Sequence, residues 1–132
     1  MSKSKLEQLF IDAAAAGYKR PQLHSLNFKY YQAPSTGRNP NAVYIKNRNG
    51  VYQGKIVDGV IKMVYLTAES VFKEITSVMT DPHGAAIQFG RRTGQCAICG
   101  RPLDNKVSVA LGIGPICNER FGWMLPADED LL

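Results

Sequence analysis

The first hydrophobic positions recur at helical spacing. Leu6, Leu9, Phe10 and Ala13 share one face of an amphipathic stretch, and Ser4-x-x-Glu7 ahead of it has the form of a capping box. Residues 13–16 are all alanine and Gly17 is a natural helix stop. After Lys19-Arg20-Pro21 the period shortens. Leu26, Phe28 and Tyr30 fall on one side of a loosely alternating stretch over 23–31, a candidate strand, and the Pro- and Gly-bearing segment 33–41 is a loop by composition.

A three-stranded meander follows. Residues 42–48, 51–57 and 60–66 alternate, and Asn49-Gly50 and Asp58-Gly59 between them are preferred two-residue hairpin turns. A turn at Asp58-Gly59 pairs Val57 with Val60, Lys55 with Lys62 and Gln53 with Val64. One face then carries Val43, Ile45, Tyr52, Ile56, Ile61, Met63 and Tyr65 as core, while the other carries Tyr44, Lys46, Arg48, Gln53, Lys55 and Lys62. Lengthening the first turn by two residues leaves these faces unchanged. Thr67 is placed to cap a helix over 68–79, with Val71, Phe72, Ile75, Val78 and Met79 as its buried stripe. Asp81-Pro82 ends it and opens a short helical turn through Phe89, and a loop over 90–94 leads to the cysteines.

Composition narrows the class. A chain of 132 residues, 45% hydrophobic and 20% charged, is long enough for a core without disulfides and too apolar to be disordered throughout. No apolar run approaches 18 residues, so no membrane-spanning helix is expected. The lysine-bearing N-terminus runs into Glu7 and shows no cleavage site, which argues against a signal peptide and for a cytoplasmic protein. Three cysteines, an odd number, argue against a disulfide framework in such a compartment. The formal charge of +5 is uneven. Up to position 95 there are 13 basic and 6 acidic residues, a surplus of seven; beyond it 3 stand against 5, a deficit of two. A basic body suits an anionic partner, although a lysine surplus also serves solubility alone.

Cys96-Ala97-Ile98-Cys99-Gly100-Arg101, with Cys117 in Gly112-Ile113-Gly114-Pro115-Ile116-Cys117, is the most specific chemical pattern. C-x-x-C-G has the shape of a zinc knuckle: two thiolates turn toward one ion and the glycine permits the tight bend behind them. Pro115 suits the first position of a short helix, which puts Cys117 in its first turn, where a thiolate is favoured. Knuckle, hairpin and a ligand at a helix start make a treble-clef-like finger. The competing reading is three reduced, buried cysteines. A redox C-x-x-C fits less well, because no βαβ pattern precedes it. A structural zinc takes four ligands, and Arg120, three residues after Cys117, cannot serve. His83 is the first choice for the fourth, with Asp104, Glu119 and His24 as the remaining candidates. The metal set is thus Cys96, Cys99, Cys117 and His83, around Zn2+.

The second pattern is the basic strand face. Tyr44, Lys46, Arg48, Lys55 and Lys62 form a charged platform suited to phosphate contacts and base stacking, and Arg91 and Arg92 beside the finger extend it. A solvated face whose lysines guard against edge pairing is the plain alternative. If these positions face solvent, replacing any of Lys46, Arg48, Lys55 or Lys62 costs no more than about 0.5 kcal/mol. No nucleophile–base pair or carboxylate dyad announces an enzyme.

Cys96-x-x-Cys99-Gly100-Arg101-Pro102-Leu103, then Ser108, then Gly112-Ile113-Gly114-Pro115-x-Cys117, resembles a small zinc-finger-like family of unknown function common in bacteriophage proteins. The likeness covers about residues 94–121, with a lead-in from Asp81. It implies that Cys96, Cys99 and Cys117 are ligands and that the setting is nucleic acid or a host protein, in a host cytoplasm. The expectation is an α+β protein: N-terminal helix, three-stranded antiparallel meander, helix, and a C-terminal treble-clef-like zinc finger. Residues 1–90 form the body, 91–123 a finger packed on it, and 124–132 an acidic tail. The expected function is non-enzymatic nucleic-acid binding. The alternative is an inhibitor or adaptor that grips a host polymerase, nuclease or defence complex, and a weaker third option is support of a phage enzyme.

Overall fold

The computed structural model describes residues 3–15, 17, 21–33, 41–98 and 100–103. Helix α1 (Lys5–Ala15) starts on the expected capping box. Glu7 Oε1 accepts the Ser4 N–H at 2.9 Å and the Ser4 hydroxyl at 2.8 Å, while Ser4 Oγ accepts the Glu7 N–H at 3.3 Å. Glu7 is fully buried, and its Oε1 also takes the Gly59 N–H at 2.7 Å, which ties the helix start to a strand turn.

Five strands follow: β1 (Gln22–His24), β2 (Phe28–Gln32), β3 (Val43–Asn47), β4 (Tyr52–Val57) and β5 (Val60–Met63). They form one antiparallel sheet in the order β1-β2-β3-β4-β5. Helices α2 (Glu69–Thr80) and α3 (Pro82–Thr93) complete the fold. The core lies between one sheet face and the helices: Leu6 and Phe10 of α1, Tyr30, Val43, Ile45 and Ile56 of the sheet, and Ile75, Val78, Ala86 and Phe89 of α2 and α3 belong to one buried cluster. None of the helices in the described residues is long and apolar enough to cross a membrane.

This architecture corrects the expected one. The sheet has five strands rather than three, because the 23–31 stretch is not one strand but a hairpin of two, bent at Ser25-Leu26-Asn27 and paired onto the meander. No turn dipeptide marks that bend. It is held from α2 and from beyond β3 instead. Glu74 accepts from the Asn27 backbone N–H (3.0 Å), the Asn27 amide (2.7 Å) and the Ser25 hydroxyl, and the Arg48 guanidinium donates to the Leu26 and Ser25 carbonyls. The short turn expected from Pro82 is a twelve-residue helix, so the described residues carry three helices, with α3 added to the two expected up to position 80. Asp81 starts it, with Oδ1 accepting the Gly84 N–H at 3.0 Å, and it runs past Phe89 to a left-handed cap at Gly94. Glu69 rather than a residue capped by Thr67 opens α2, since the Thr67 hydroxyl bonds the Tyr65 carbonyl. The treble-clef-like finger is not part of the described fold: no group of three or more metal-ligating side chains is gathered among the described residues. Cys99, Asp104, Cys117 and Glu119 lie outside them.

The β4–β5 register is as expected, with Val57 opposite Val60 and Lys55 opposite Lys62. The β3–β4 ladder is not regular. Ile45 pairs with Gly54 but Lys46 pairs with Tyr52, so Gln53 is the extra residue of a bulge. The bulge reverses parity for Tyr52, which leaves the core face assigned to it and joins Lys46. Tyr65 also lies outside the core, exposed after the end of β5.

Candidate functional site

The pleat puts directly paired residues on one face, so the ladders define two rows across the outer side of the sheet. One row runs Gln22, Tyr31, Tyr44, Lys55, Lys62 from β1 to β5; the other runs His24, Lys29, Lys46, Tyr52 from β1 to β4. Together they hold four lysines and three tyrosines, and neither contains a carboxylate.

The tyrosines touch. Tyr44 meets Tyr31 edge-to-face at 5.7 Å and Tyr52 likewise at 5.6 Å. The Lys46 ammonium stands 4.9 Å from the Tyr31 ring centroid. Burial first, and the neighbouring phenols second, push Tyr31 up, and burial with Tyr44 does the same for Tyr52, so both stay neutral at physiological pH. Tyr52 is the most exposed of the three, at 37%.

The β1 end of the rows is closed by the cysteine segment. The His24 N–H donates to the Ala97 carbonyl at 2.6 Å. The segment is a tight reversal in which Gln95 bridges Pro102, Cys96 N–H donates to Arg101 O at 2.8 Å and Gly100 N–H to Cys96 O at 2.8 Å. Gly100 has φ +77, a left-handed conformation that a side chain would strain. Cys96 is buried, and its Sγ accepts the Ile98 N–H at 3.4 Å. A Cβ on Gly100 would stand 3.9 Å from His24 Nε2, so the histidine beside this turn is His24. His83 sits in the first turn of α3 and Cys96 follows its last; about 15 Å of helix lies between. The structure therefore places His83 and Cys96 at opposite ends of α3.

Arg48 is also placed differently from the lysines. It follows β3 and stands in neither row. Beyond the two carbonyls of the β1–β2 bend, its Nη1 donates to His24 Nδ1 at 2.8 Å, and its guanidinium lies 5.2 Å over the Phe89 ring, on which His24 stacks at 5.6 Å. An arginine can only donate, so His24 Nδ1 is the acceptor and Nε2 carries the proton. Burial, with Arg48 and Lys29 adding, lowers the His24 pKa to about 4. Arg91 and Arg92 are exposed in the last turn of α3 and stand outside both rows. Of the expected binding residues, the structure brings Tyr44, Lys46, Lys55 and Lys62 together. Lys29, Tyr31 and Tyr52 join them unforeseen; the alternation of Lys29 and Tyr31 around buried Tyr30 was the signal for two of these.

The class defined so far is a small α+β protein with one helix-covered sheet face, one basic aromatic face, and a cysteine turn at the sheet margin. Residues 86–122, from within α3 through the cysteine segment, match DUF6011, a family of unknown function. No curated protein and no solved structure matches the chain.

Proposed function

We propose that this protein binds nucleic acid, without catalysing a reaction, through the outer face of its sheet, with the cysteine segment alongside. The observation that supports it is the pair of rows: four ammonium groups and three phenol rings with no intervening carboxylate, which suits a polyanion that carries aromatic bases. On the same reading Cys96, Cys99 and Cys117 hold a structural zinc that fixes the turn against β1. The buried Cys96 sulfur accepting a backbone N–H fits a thiolate ligand. With His83 at the far end of α3, Asp104 or Glu119 is the better fourth ligand. The resemblance to phage zinc-finger-like proteins agrees with both parts.

The test is fluorescence anisotropy with labelled oligonucleotides on the parent and a variant with Lys29, Lys46, Lys55 and Lys62 all changed to Gln. Four phosphate contacts imply a log–log salt slope of about −3 for the parent, and the variant should bind at least tenfold more weakly at low salt. Equal affinity of variant and parent would reject the reading. A second reading draws on another observation: Val64, Tyr65 and Leu66 stand exposed just past Lys62, a strip suited to a host protein. Nuclease-insensitive, stoichiometric capture of a host protein, lost in the same variant, would favour it.

A further inference from the structure

We propose that the nucleic acid taken by this face is single-stranded, and that Tyr52 is a base-stacking position created by the β-bulge at Gln53. This rests on the nucleic-acid reading above and narrows it. Without the extra residue, Tyr52 would share parity with Gly54 and Ile56 and point into the core. The bulge turns it outward, opposite Lys46, at the open end of a ring series that runs from Tyr31 through Tyr44.

The surroundings separate the roles of the rings. Tyr31 already has an ammonium over it, from Lys46, and Tyr44 is flanked by a ring on each side. Tyr52 has the largest exposed surface and only one ring neighbour among the described contacts. Ammonium groups lie on both sides of the ring series: Lys29 and Lys46 in one row, Lys55 and Lys62 in the other. A strand laid across β2–β4 thus meets rings along its bases and lysines along its backbone. A duplex offers phosphates and groove edges but keeps its base faces stacked inside, so a surface of rings gains nothing from it. A single strand presents those faces, and stacking on aromatic side chains is the usual source of its affinity, with little sequence preference.

The measurement compares an oligo-dT strand with a duplex of equal length, by anisotropy at one salt concentration, for the parent, Tyr52→Ala and Tyr52→Phe. Tyr52 is exposed, so both variants should keep the parent's urea midpoint to within a small margin, which is checked first. The expected result is a parent preference for the single strand, a loss of about tenfold for Tyr52→Ala on the strand with under twofold on the duplex, and near-parent binding by Tyr52→Phe. If the parent binds duplex as tightly as single strand and Tyr52→Ala loses nothing, the inference fails while the four-lysine variant still upholds nucleic-acid binding. If neither form binds the parent, both the inference and the reading beneath it fall.

Discussion

At the scale of single residues, charge on the surface is not one kind of thing. Lys46, Lys55 and Lys62 read as solvated from their alternation, and the rows keep them so. Arg48 sits in the same alternation on paper, yet its guanidinium is spent on two carbonyls, His24 and the face of Phe89. No local pattern carries that information, because its partners lie at 24–26 and 89. Arg48→Ala should therefore cost about 1–2 kcal/mol in urea denaturation, where each single lysine variant stays within about 0.5. Equal, small losses for all four would mean the arginine contacts contribute nothing. His24 gives a second check. Its folded pKa of about 4 lies below its ordinary 6.5, so the unfolded chain takes the proton first. The stability this provides is whole above about pH 6.5 and drains as pH falls toward 4. Burial of the ring is the main cause of the shift, and the facing charges of Arg48 and Lys29 add to it. Between pH 7 and pH 4.5 the parent should lose more of its urea midpoint than His24→Gln does; parallel losses would assign the acid sensitivity elsewhere.

At the scale of elements, what was legible had its cause close by in the chain. The capping box of α1 and the Asp58-Gly59 turn need only their own residues, and both formed where the sequence put them. What was not legible was imposed from a distance. The bend at 25–27 is held by Glu74 and Arg48, α3 is longer than its glycines suggest because Asp81 caps it and Phe89 is buried, and the bulge at Gln53 leaves no mark in the alternation. The α1 start joins the two kinds of cause, since Glu7 closes the box and also takes the Gly59 N–H. Ser4→Ala should cost about 1 kcal/mol, an ordinary cap loss. Glu7→Ala should cost more, on the order of 2–3 kcal/mol, because it leaves the Ser4 and Gly59 N–H groups without their acceptor. Thermal melts of both variants decide it, and equal shifts would show that the link to the strand turn carries no weight.

At the scale of the whole molecule, four of the thirteen basic residues up to position 95 gather on one face of the sheet with no acidic residue among them, while of the three cysteines Cys96 lies in the turn beside β1 and Cys99 and Cys117 lie outside the described residues. Which histidine lies near the cysteine turn was unreadable in the sequence because it depends on the fold: β1 passes the Cys96 turn, and α3 carries His83 away from it. Elemental analysis of freshly purified protein should find about one zinc per chain, unchanged in His83→Ala and lost in Cys117→Ser. Absence of metal from the parent ends the zinc proposal, and loss in His83→Ala would restore that residue as a ligand. The two margins of the sheet are also unlike. At β1 the outward His24 N–H is already bonded to Ala97, whereas β5 has no further strand beside it among the described residues. Among the described residues, then, an added strand meets a donor already taken at β1 and no neighbouring strand at β5. Two chains pairing through β5 would each occupy the margin the other uses, so self-association by that contact alone would stop at a pair.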